Sequence, residues 1–374
     1  MLPPPADRPK LRTVLDQLAG AVEDLLLGGL TTASEATRQT LSGAMQEAAR
    51  LRLLRLGSTL RVATEELGRF TRRDESFSRR RLTFFLSRAW VLARAMAHAL
   101  QTGDEAEYDR LTWAPQARPL PPVDVVCLGV AKKVAAGAFV AFDFRLRPLA
   151  DAGPVKAGQR LGWSVVFPIK PGVDIPPEGL LHLPQKQKFA PVVLLERRTI
   201  RVEGATVSGD EAGGWRLALG EPSTVTPGQA FDGWEQFLDW SPAAGRERIA
   251  GHTPGPLDLD TELQEEVVLR DYEIGPPAGG DEPGQTVYPV TAGGLTLHAV
   301  VGGGAEGKAL GKGIDDLRKQ KKRNARLPLF GLMHYERCRL VLQPLTAFRP
   351  EPDYLPISKE NVNKAALLKA MSFT

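Results

Sequence analysis

The spacing of apolar residues changes once along the chain, near Pro122, from about 3.6 residues to about 2. Before that point, apolar residues recur at alternating three- and four-residue steps, the pattern of amphipathic helices that pack together. After it, segments such as 140–147 alternate apolar and polar residues, which is typical of half-buried strands. The sequence therefore predicts an α+β chain. An N-terminal helical bundle precedes a mainly antiparallel β-rich sandwich or open barrel with short helices.

The helical bundle is predicted over residues 1–102, which are rich in arginine, and it contains three helices. The first spans about residues 8–27 and ends at a pair of glycines. The second begins at a capping box formed by Thr32 and Glu35 and continues to about residue 70. The third begins near residues 76–78 and repeats the same apolar spacing to about residue 100. Such seams fit either an intramolecular bundle or a dimer, so the oligomeric state stays open.

Proline and glycine divide the rest of the chain. Residues 103–122 contain four prolines and are predicted to be a linker. Residues 123–304 are predicted to form the β-rich domain, with short helices near 231–240 and 263–268. Residues 305–374 are predicted to hold a basic helix, a strand pair and a terminal helix, all packed on the β-rich domain.

Cysteine content and charge limit the cellular context. The chain has 374 residues and only two cysteines, so a disulfide framework and a cysteine-based zinc site are not expected. The N-terminus lacks a cationic segment followed by an apolar one, and no apolar run reaches the roughly 18 residues of a membrane span. These features predict a cytoplasmic protein that does not insert into membranes. A formal charge of +4 permits nucleic-acid binding without requiring it.

Two Arg- and Leu-rich stretches carry a family resemblance: Leu51–Asp74, which reads LRLLRLGSTLRVATEELGRFTRRD, and Arg80–Trp90, which reads RRLTFFLSRAW. They resemble an uncharacterised bacterial family encoded beside SWIM zinc-finger proteins, MoxR-type AAA+ ATPases and von Willebrand A proteins. The resemblance is clearest over residues 20–100 and weaker at the C-terminal tail. It implies an accessory component of a multiprotein system, with an AAA+ ATPase or a von Willebrand A protein as candidate partners. It implies no site residues.

A glycine-rich segment, residues 302–309, has the Gly-x-x-x-x-Gly-Lys spacing of a phosphate-binding loop. However, Ala309 stands where that loop needs a hydroxyl to hold magnesium, and the preceding sequence lacks βαβ alternation. The segment is therefore interpreted as a flexible loop that leads into a surface helix, without nucleotide hydrolysis.

Carboxylates and histidines give no stronger indication of chemistry. Five carboxylates cluster after a turn and could bind a divalent cation, but a helix start also favours acidic residues: Asp258, Asp260, Glu262, Glu265 and Glu266. No two of the five histidines have the i,i+3 or i,i+4 spacing of a local metal site. We therefore predict no enzymatic activity, no catalytic residues, no cofactor and no metal.

Two basic elements are the candidate polyanion-binding surfaces. One is an arginine triplet at the start of the third helix, where the positive helix terminus disfavours cations unless an acidic partner lies nearby. The other is the basic helix and the residues after it, which can neutralise phosphates but contain no interleaved aromatics for base stacking. The alternative for both is a solvated, solubilising face. The candidate residues are Arg79, Arg80, Arg81, Lys308, Lys312, Arg318, Lys319, Lys321, Lys322, Arg323 and Arg326.

Three functions remain open on the sequence. The first choice is a non-catalytic accessory or scaffolding protein of a bacterial multiprotein system that binds other proteins. The alternative is a nucleic-acid-binding module that uses the basic surfaces, and the second alternative is an enzyme with an unrecognised site.

Overall fold

The computed structural model of the chain divides into two compact units. One contains the N-terminal 115 residues, and the other contains most of the remaining chain. None of the helices in the described part of the chain is both long and apolar enough to span a membrane. The structure describes residues 2–30, 35–74, 77–112, 116–135, 139–169, 175–185, 188–209, 214–239, 241–251, 264–281, 283–320, 327–336 and 339–359.

The N-terminal unit is helical, as the 3.6-residue spacing predicts. Its helices are α1 (Arg8–Gly28), α2 (Glu35–Arg50), α3 (Leu54–Thr71), α4 (Arg79–Thr102) and α5 (Glu105–Thr112). Their apolar stripes meet in one core that includes Leu15, Leu60 and Met96. The fold class predicted from the sequence, helices followed by mainly antiparallel strands, is confirmed.

The second helix was predicted to be continuous to about residue 70. This prediction is wrong, because the structure has two helices there. The chain leaves α2 at Leu51 and re-enters a helix at Leu54. Arg52 adopts a left-handed conformation (φ 56°) at this break, and the Leu53 amide bonds to the Ala48 carbonyl. The apolar spacing runs through the break, since Leu53 itself is buried, so periodicity alone gave no sign of it. Helix α5, with Tyr108 and Leu111 in the helical core, lies inside the segment predicted as a linker.

The β-rich unit begins with a ring of strands, the first barrel. Its strands are β1 (Arg118–Leu120), β2 (Val123–Ala135), β3 (Phe139–Pro148), β4 (Leu161–Pro168), β5 (Arg198–Glu203), β6 (Ala205–Gly209), β7 (Trp215–Ala218) and β8 (Thr224–Ala230). Strand β2 pairs with β3, β3 with β4, and β4 in parallel with β7. Strand β7 pairs with β6, and β5 returns to β2. Because only Gly204 separates β5 from β6, these pairings close a ring.

A second ring, the second barrel, repeats this pattern. After α6 (Pro242–Gly251) come β9 (Glu265–Leu269), β10 (Tyr272–Ile274), β11 (Ala278–Gly279), β12 (Thr286–Ala292), β13 (Leu295–Val301), α7 (Gly304–Lys319), β14 (Leu329–Glu336), β15 (Arg339–Phe348) and β16 (Pro352–Tyr354). The order of pairing is β10, β12, β13, β15, β14 and β9. Only Arg270 and Asp271 separate β9 from β10, so this ring also closes. Its one parallel step, β13 with β15, involves two residue pairs, as does β4 with β7.

Two details of the sequence-based description change in this unit. Residues 263–268 were predicted as a helix, which is wrong, because β9 begins at Glu265. The basic helix α7 and the strands β14 and β15 complete the second barrel, so the predicted boundary after residue 304 falls inside that barrel. The helix predicted near 231–240 is a short 3₁₀ helix, Gly233–Phe237. The predicted terminal helix lies outside the described residues.

The two barrels share a buried apolar cluster. Outward-facing residues of β2, such as Val126 and Leu128, pack with Phe330, Leu332 and Leu345 of the second barrel. A Cβ atom at Gly129 would lie 2.9 Å from the Phe330 ring, so glycine is required for this close approach. The side chain of Arg147 on β3 is paired with Glu266 on β9, and both are largely buried. The barrels are therefore packed against each other through both apolar and ionic contacts.

Candidate nucleic-acid interface

The predicted basic residues of helix α7 form one exposed stripe. At about 100° per residue, Lys308, Lys312 and Lys319 lie within about 40° of one another, and all three are exposed. Leu310, Ile314 and Leu317 lie on the opposite side of the helix, against the second barrel core. Arg318 is half-buried and lies 3.5 Å from Asp315. The other predicted residues of this element, Lys321, Lys322, Arg323 and Arg326, lie outside the described residues.

The predicted arginine triplet lies in the other unit. Arg79, Arg80 and Arg81 are exposed in the first turn of α4, whose N-cap Ser78 accepts a hydrogen bond from the Arg81 amide. The acidic partner expected there is Glu66 of α3. Its buried carboxylate accepts hydrogen bonds from the Ser78 amide (2.9 Å) and from the Arg81 guanidinium (2.9 Å). The structure thus gives Arg81 a role in holding α4 against α3.

Glu66 supplies a testable stability prediction. Burial alone would raise the pKa of Glu66, but the bonds from Ser78 and Arg81 and the charge of Arg69 lower it below its usual value. Replacing Glu66 with Ala is expected to cost about 1–3 kcal/mol, because the amide and guanidinium donors lose their acceptor. Replacing Glu65, which is exposed and also pairs with Arg69, is expected to cost under about 1 kcal/mol.

Urea denaturation of the full chain, followed by circular dichroism at neutral pH, measures both values. Because the folded pKa of Glu66 is depressed, its contribution is present above the unfolded pKa of about 4.3 and is lost as the pH falls through the folded value. The wild-type helical unit should therefore lose stability below about pH 4.3 more steeply than Glu66→Gln. Equal losses in Glu66→Ala and Glu65→Ala would contradict this role for Glu66.

The glycine-rich segment does not form an open phosphate-binding loop. Only Gly302 and Gly303 separate β13 from α7, and Gly303 is the N-cap of the helix. A Cβ atom at Gly307 would lie 1.9 Å from the Gly302 carbonyl oxygen, so the first turn packs closely on the residues before it. The segment is therefore a short, closely packed connection between β13 and α7.

The described carboxylates and the cysteine considered for chemistry are buried or paired with arginines in the structure. Glu265 and Glu266 lie on β9, where Glu266 pairs with Arg147 and Glu265 lies 3.9 Å from Arg160. The remaining carboxylates of that cluster lie outside the described residues. Burial raises the pKa of the Cys127 thiol to about 12, which leaves it protonated at neutral pH. Within the part of the chain that the structure describes, no group of three or more His, Cys, Asp or Glu side chains could hold a metal ion.

An exposed surface of the first barrel, which sequence analysis did not single out, combines cations with apolar side chains. We call it the outer strand face and define it by Lys133 on β2, Phe139 on β3, Ser164 and Val166 on β4, and Arg216 on β7. The alternation of β3 and β4 turns Phe142, Phe144 and Trp163 into the barrel core. The residues between them must therefore point outward.

Strand register fixes how these side chains are grouped. Lys133 lies opposite Ala141, and Ala141 lies opposite Val166, so the lysine and the valine occupy one row. Phe139 occupies the next row, opposite Pro168. At this end of the face, Phe139 is 39% exposed and Val166 is 59% exposed. Large apolar side chains this exposed, beside a lysine, suit a ligand with both flat apolar and anionic parts.

The face carries a net positive charge. Among the described residues of the face the acid is Asp143, which accepts a hydrogen bond from Ser164 and lies 3.7 Å from the Lys133 amine. At the other end, Gly162 lies between Arg145 on β3 and Arg216 on β7 in one row. Arg216 is exposed and pairs with no carboxylate among the described residues. Since Gly162 has no side chain, the two arginines border an open strip of backbone.

The pairing order of both rings defines the class of fold. The five strands of the first barrel are β2, β3, β4, β5 with β6, and β7, and those of the second are β9 with β10, β12, β13, β14 and β15. In each barrel, the first of these strands pairs with the second and the fourth, and the third pairs in parallel with the fifth. This is the order of the oligonucleotide- and oligosaccharide-binding (OB) barrel, a five-stranded and partly open barrel. The outer strand face lies on its second and third strands, β3 and β4, with contributions from the first and fifth. The β-rich unit is thus a tandem pair of OB-type barrels.

Comparisons with known proteins add no family. No protein-family model matches the chain, and no curated protein matches it. Solved structures with a distant likeness include a murine DNA-binding protein bound with dsDNA, at 11% identity and a TM-score of 0.24, covering 60% of this chain and 90% of that one. Another is the Ifi202 HINa domain in complex with 20bp dsDNA, at 12% identity and a TM-score of 0.26, covering 61% and 94%. A third is the p204 HINb domain, at 12% identity and a TM-score of 0.25, covering 60% and 93%. Because these TM-scores are so low, a function for this chain has to be inferred from its own strand pairings and side chains.

Proposed function

We propose that the β-rich unit binds single-stranded nucleic acid on the outer strand face, as a binding protein without catalytic activity. The observation that carries the proposal is the exposed Phe139 and Val166, which lie beside Lys133 on the face whose far end bears Arg145 and Arg216. The OB pairing order supports it, because oligonucleotides bind the second- and third-strand face of such barrels. Fold alone does not define a ligand, and these side chains are what favour a nucleic acid.

The two kinds of side chain match the two parts of a nucleotide. Lysine and arginine neutralise phosphates, a contact that weakens as salt rises. An exposed phenylalanine offers a flat face on which one base can stack, a contact worth about 1–3 kcal/mol. A base can stack in this way only when it is unpaired, because a duplex hides the base faces. The face therefore favours a single strand over a duplex.

The lysine stripe of α7 supports the same proposal through charge alone. Lys308, Lys312 and Lys319 have no exposed aromatic among them, so they fit contacts to phosphates and not to bases. Binding through this stripe would be weakly selective for sequence.

Two substitutions on the outer strand face test the proposal. Phe139→Ala should weaken binding of the full chain to a labelled oligothymidylate by roughly 5- to 150-fold, the loss of about 1–3 kcal/mol of stacking. Lys133→Glu should weaken it at low salt and reduce the slope of log affinity against log salt by about 1. Fluorescence anisotropy at two salt concentrations measures both changes.

Lys156 provides a matched control for Lys133. The side chain of Lys156 is 68% exposed and that of Lys133 is 63% exposed. Each lies within ion-pair distance of an aspartate, Asp151 for Lys156 and Asp143 for Lys133. Lys156 lies off the outer strand face, so Lys156→Glu should leave affinity nearly unchanged. Equal losses in the two variants, or no binding by the wild type at low salt, would overturn the proposal.

A complex with an AAA+ ATPase or a von Willebrand A protein that survives nuclease and high salt would instead favour the accessory role. The exposed Leu27 and Leu54 of the helical unit are the residues to test in that case.

A further inference from the structure

We infer that the helical unit carries a second, separate site for single-stranded nucleic acid, at the corner where α3 ends and α4 begins. We call this site the arginine corner and define it by Arg72, Arg73, Arg79, Arg80 and Phe84. It shares its ligand with the proposed function but depends on different residues, in the other compact unit. Either site can therefore fail a test while the other stands.

An aromatic contact brings the four arginines of the corner together. The rings of Phe70, in the last turn of α3, and Phe77, just before α4, lie 5.3 Å apart. The first two arginines follow Phe70 by two and three residues, and the other two follow Phe77 by the same steps. Glu66 fixes the same junction, because its carboxylate accepts hydrogen bonds from Ser78 and Arg81. The arginines therefore flank one fixed contact between the two helices.

The corner has an excess of positive charge. Residues 69–84 contain six arginines and two acids, a net charge of +4. Glu66 compensates Arg69 and Arg81. The four arginines of the corner are exposed, and none of them lies within ion-pair distance of a carboxylate in the described part of the chain. Arg79 and Arg80 also lie at a positive helix terminus whose first turn contains no acid. A bound anion would offset this repulsion.

Phe84 adds an exposed aromatic face beside these charges. It is 42% exposed and follows Arg80 by one helical turn, so the two side chains are neighbours on α4. Leu82 and Leu86, which enter the helical core, lie on the opposite side of this helix. The ring of Phe85 packs on that core and meets the Phe84 ring edge-on at 5.2 Å. An unpaired base can stack on Phe84 while its phosphates contact the arginines. This combination favours a single strand over a purely anionic partner, which would use the charges alone.

A chain that lacks the first-barrel site isolates the arginine corner. The double variant Lys133→Glu/Phe139→Ala provides that background, and a labelled oligothymidylate of about 6 nucleotides is the probe. At low salt the background should still bind the probe, and adding Phe84→Ala should weaken this binding by roughly 5- to 150-fold. Adding Arg79→Glu/Arg80→Glu should weaken it and reduce the slope of log affinity against log salt by about 1.4, or about 0.7 for each phosphate contact. Fluorescence anisotropy at two salt concentrations measures both changes.

The helical unit also supplies the controls. Arg61, on α3, is exposed and pairs with no carboxylate among the described residues. It lies about 16 Å before Arg72 along the helix, so Arg61→Glu should leave affinity nearly unchanged. Leu54→Ala removes a side chain that is 57% exposed at the other end of α3, and it should also have little effect. The reversal at Arg79 and Arg80 places acids where the helix dipole favours them, so it should preserve α4. Circular dichroism of each variant checks this.

The outcomes separate this site from the proposed function. If the wild type binds the probe at low salt and the background does not, the arginine corner is not a site. If the corner variants weaken the wild type but Lys133→Glu does not, the corner stands and the proposed function is wrong. Failure of the wild type to bind contradicts both. Equal losses in Arg61→Glu and in the arginine reversal would also overturn the corner. Polyglutamate that competes equally with the probe, together with no effect of Phe84→Ala, would make an acidic protein the occupant and overturn the single strand.

Discussion

Replacing Glu178 with Ala is expected to destabilise the β-rich unit by about 3–5 kcal/mol, because it leaves a buried cation without its partner. Glu178 belongs to a 3₁₀ helix, Pro177–His182, and its carboxylate lies 2.7 Å from the Lys132 amine. Lys132 is on the inward side of β2, in the same row as Phe142, and both charged side chains are almost completely buried. Glu178 also accepts a hydrogen bond from the Ser358 amide (3.3 Å). One carboxylate thus links β2, a covering helix and the segment after β16.

The state of Glu178 explains the sign of its pH dependence. Burial alone would raise the pKa of Glu178, but the hydrogen bond and charge of Lys132 lower it below its usual value. A depressed folded pKa contributes stability that is present above the unfolded pKa of about 4.3 and is lost as the pH falls through the folded value. The stability of the wild-type barrel should therefore fall more steeply below about pH 4.3 than that of a variant that lacks the pair.

Urea denaturation of the full chain, followed by tryptophan fluorescence, measures the effect. Glu196→Ala is the control, since Glu196 lies in an exposed pair with Arg198 and should contribute less than about 1 kcal/mol. The double variant Lys132→Met/Glu178→Leu should recover most of the lost stability, because an apolar pair of similar volume avoids the desolvation of two charges. A double variant as unstable as Glu178→Ala would show that the 3₁₀ helix, and not the unpaired lysine, accounts for the loss.

Truncating Phe330 to Ala is expected to cost about 3–5 kcal/mol, the range for a fully buried phenylalanine. Phe330 is 1% exposed and packs between the two barrels against Gly129 and Leu345. Gly129→Ala alters the same contact from the first barrel. Its Cβ atom would lie 2.9 Å from the Phe330 ring and 3.1 Å from Leu345, so overpacking should cost about 1–3 kcal/mol.

The two substitutions should not be additive, since the cavity left by Phe330→Ala makes room for the alanine at position 129. The double variant is expected to be more stable than the sum of the single losses by at least about 0.5 kcal/mol. Phe139→Ala is the control for phenylalanine, because Phe139 is exposed and should change stability by no more than about 0.5 kcal/mol. Strict additivity of Gly129→Ala and Phe330→Ala would contradict a shared contact between the barrels.

Local signals explain why the helices were predictable. Helix α1 ends at Gly28, followed by Gly29 with a positive φ, and α4 starts at the N-cap Ser78 and ends before the left-handed Gly103. Each of these caps is a residue type that favours its position whatever the rest of the chain does. The break between α2 and α3 has no such signal. Its left-handed residue is Arg52, and the next residue, Leu53, is buried in the helical core.

Strand β9 was missed for the opposite reason, because a local signal gave the wrong answer. Glu265 and Glu266 resemble the acidic start of a helix. In the structure their charges face arginines of the first barrel, and Arg147 lies 119 residues away from Glu266 in the sequence. No pattern near residue 265 can reveal a partner at that distance.

The two candidate surfaces, the α7 lysines and the outer strand face, also differ in whether local sequence could predict them. The α7 lysines were predicted from sequence, since helical spacing alone places them opposite the apolar residues of their own helix. The outer strand face was not, because its residues come from β2, β3, β4 and β7 and adjoin only through the register of the sheet. The alternation of 140–147 predicted that one side of β3 is buried, but not which residues of other strands lie beside Phe139.

The sequence by itself determined the kind of each element and the sides that must be apolar, because periods of 3.6 and 2 follow from the backbone geometry of helix and strand. Only the tertiary structure decided how those elements are used. It closed two rings through Gly204 and through Arg270–Asp271, buried the outward apolar side of β2 against Phe330, and left the outward side of β3 and β4 at Phe139 and Val166 in solvent. The physical reason is that alternation gives a strand two faces, whereas the partner that covers either face comes from distant parts of the chain.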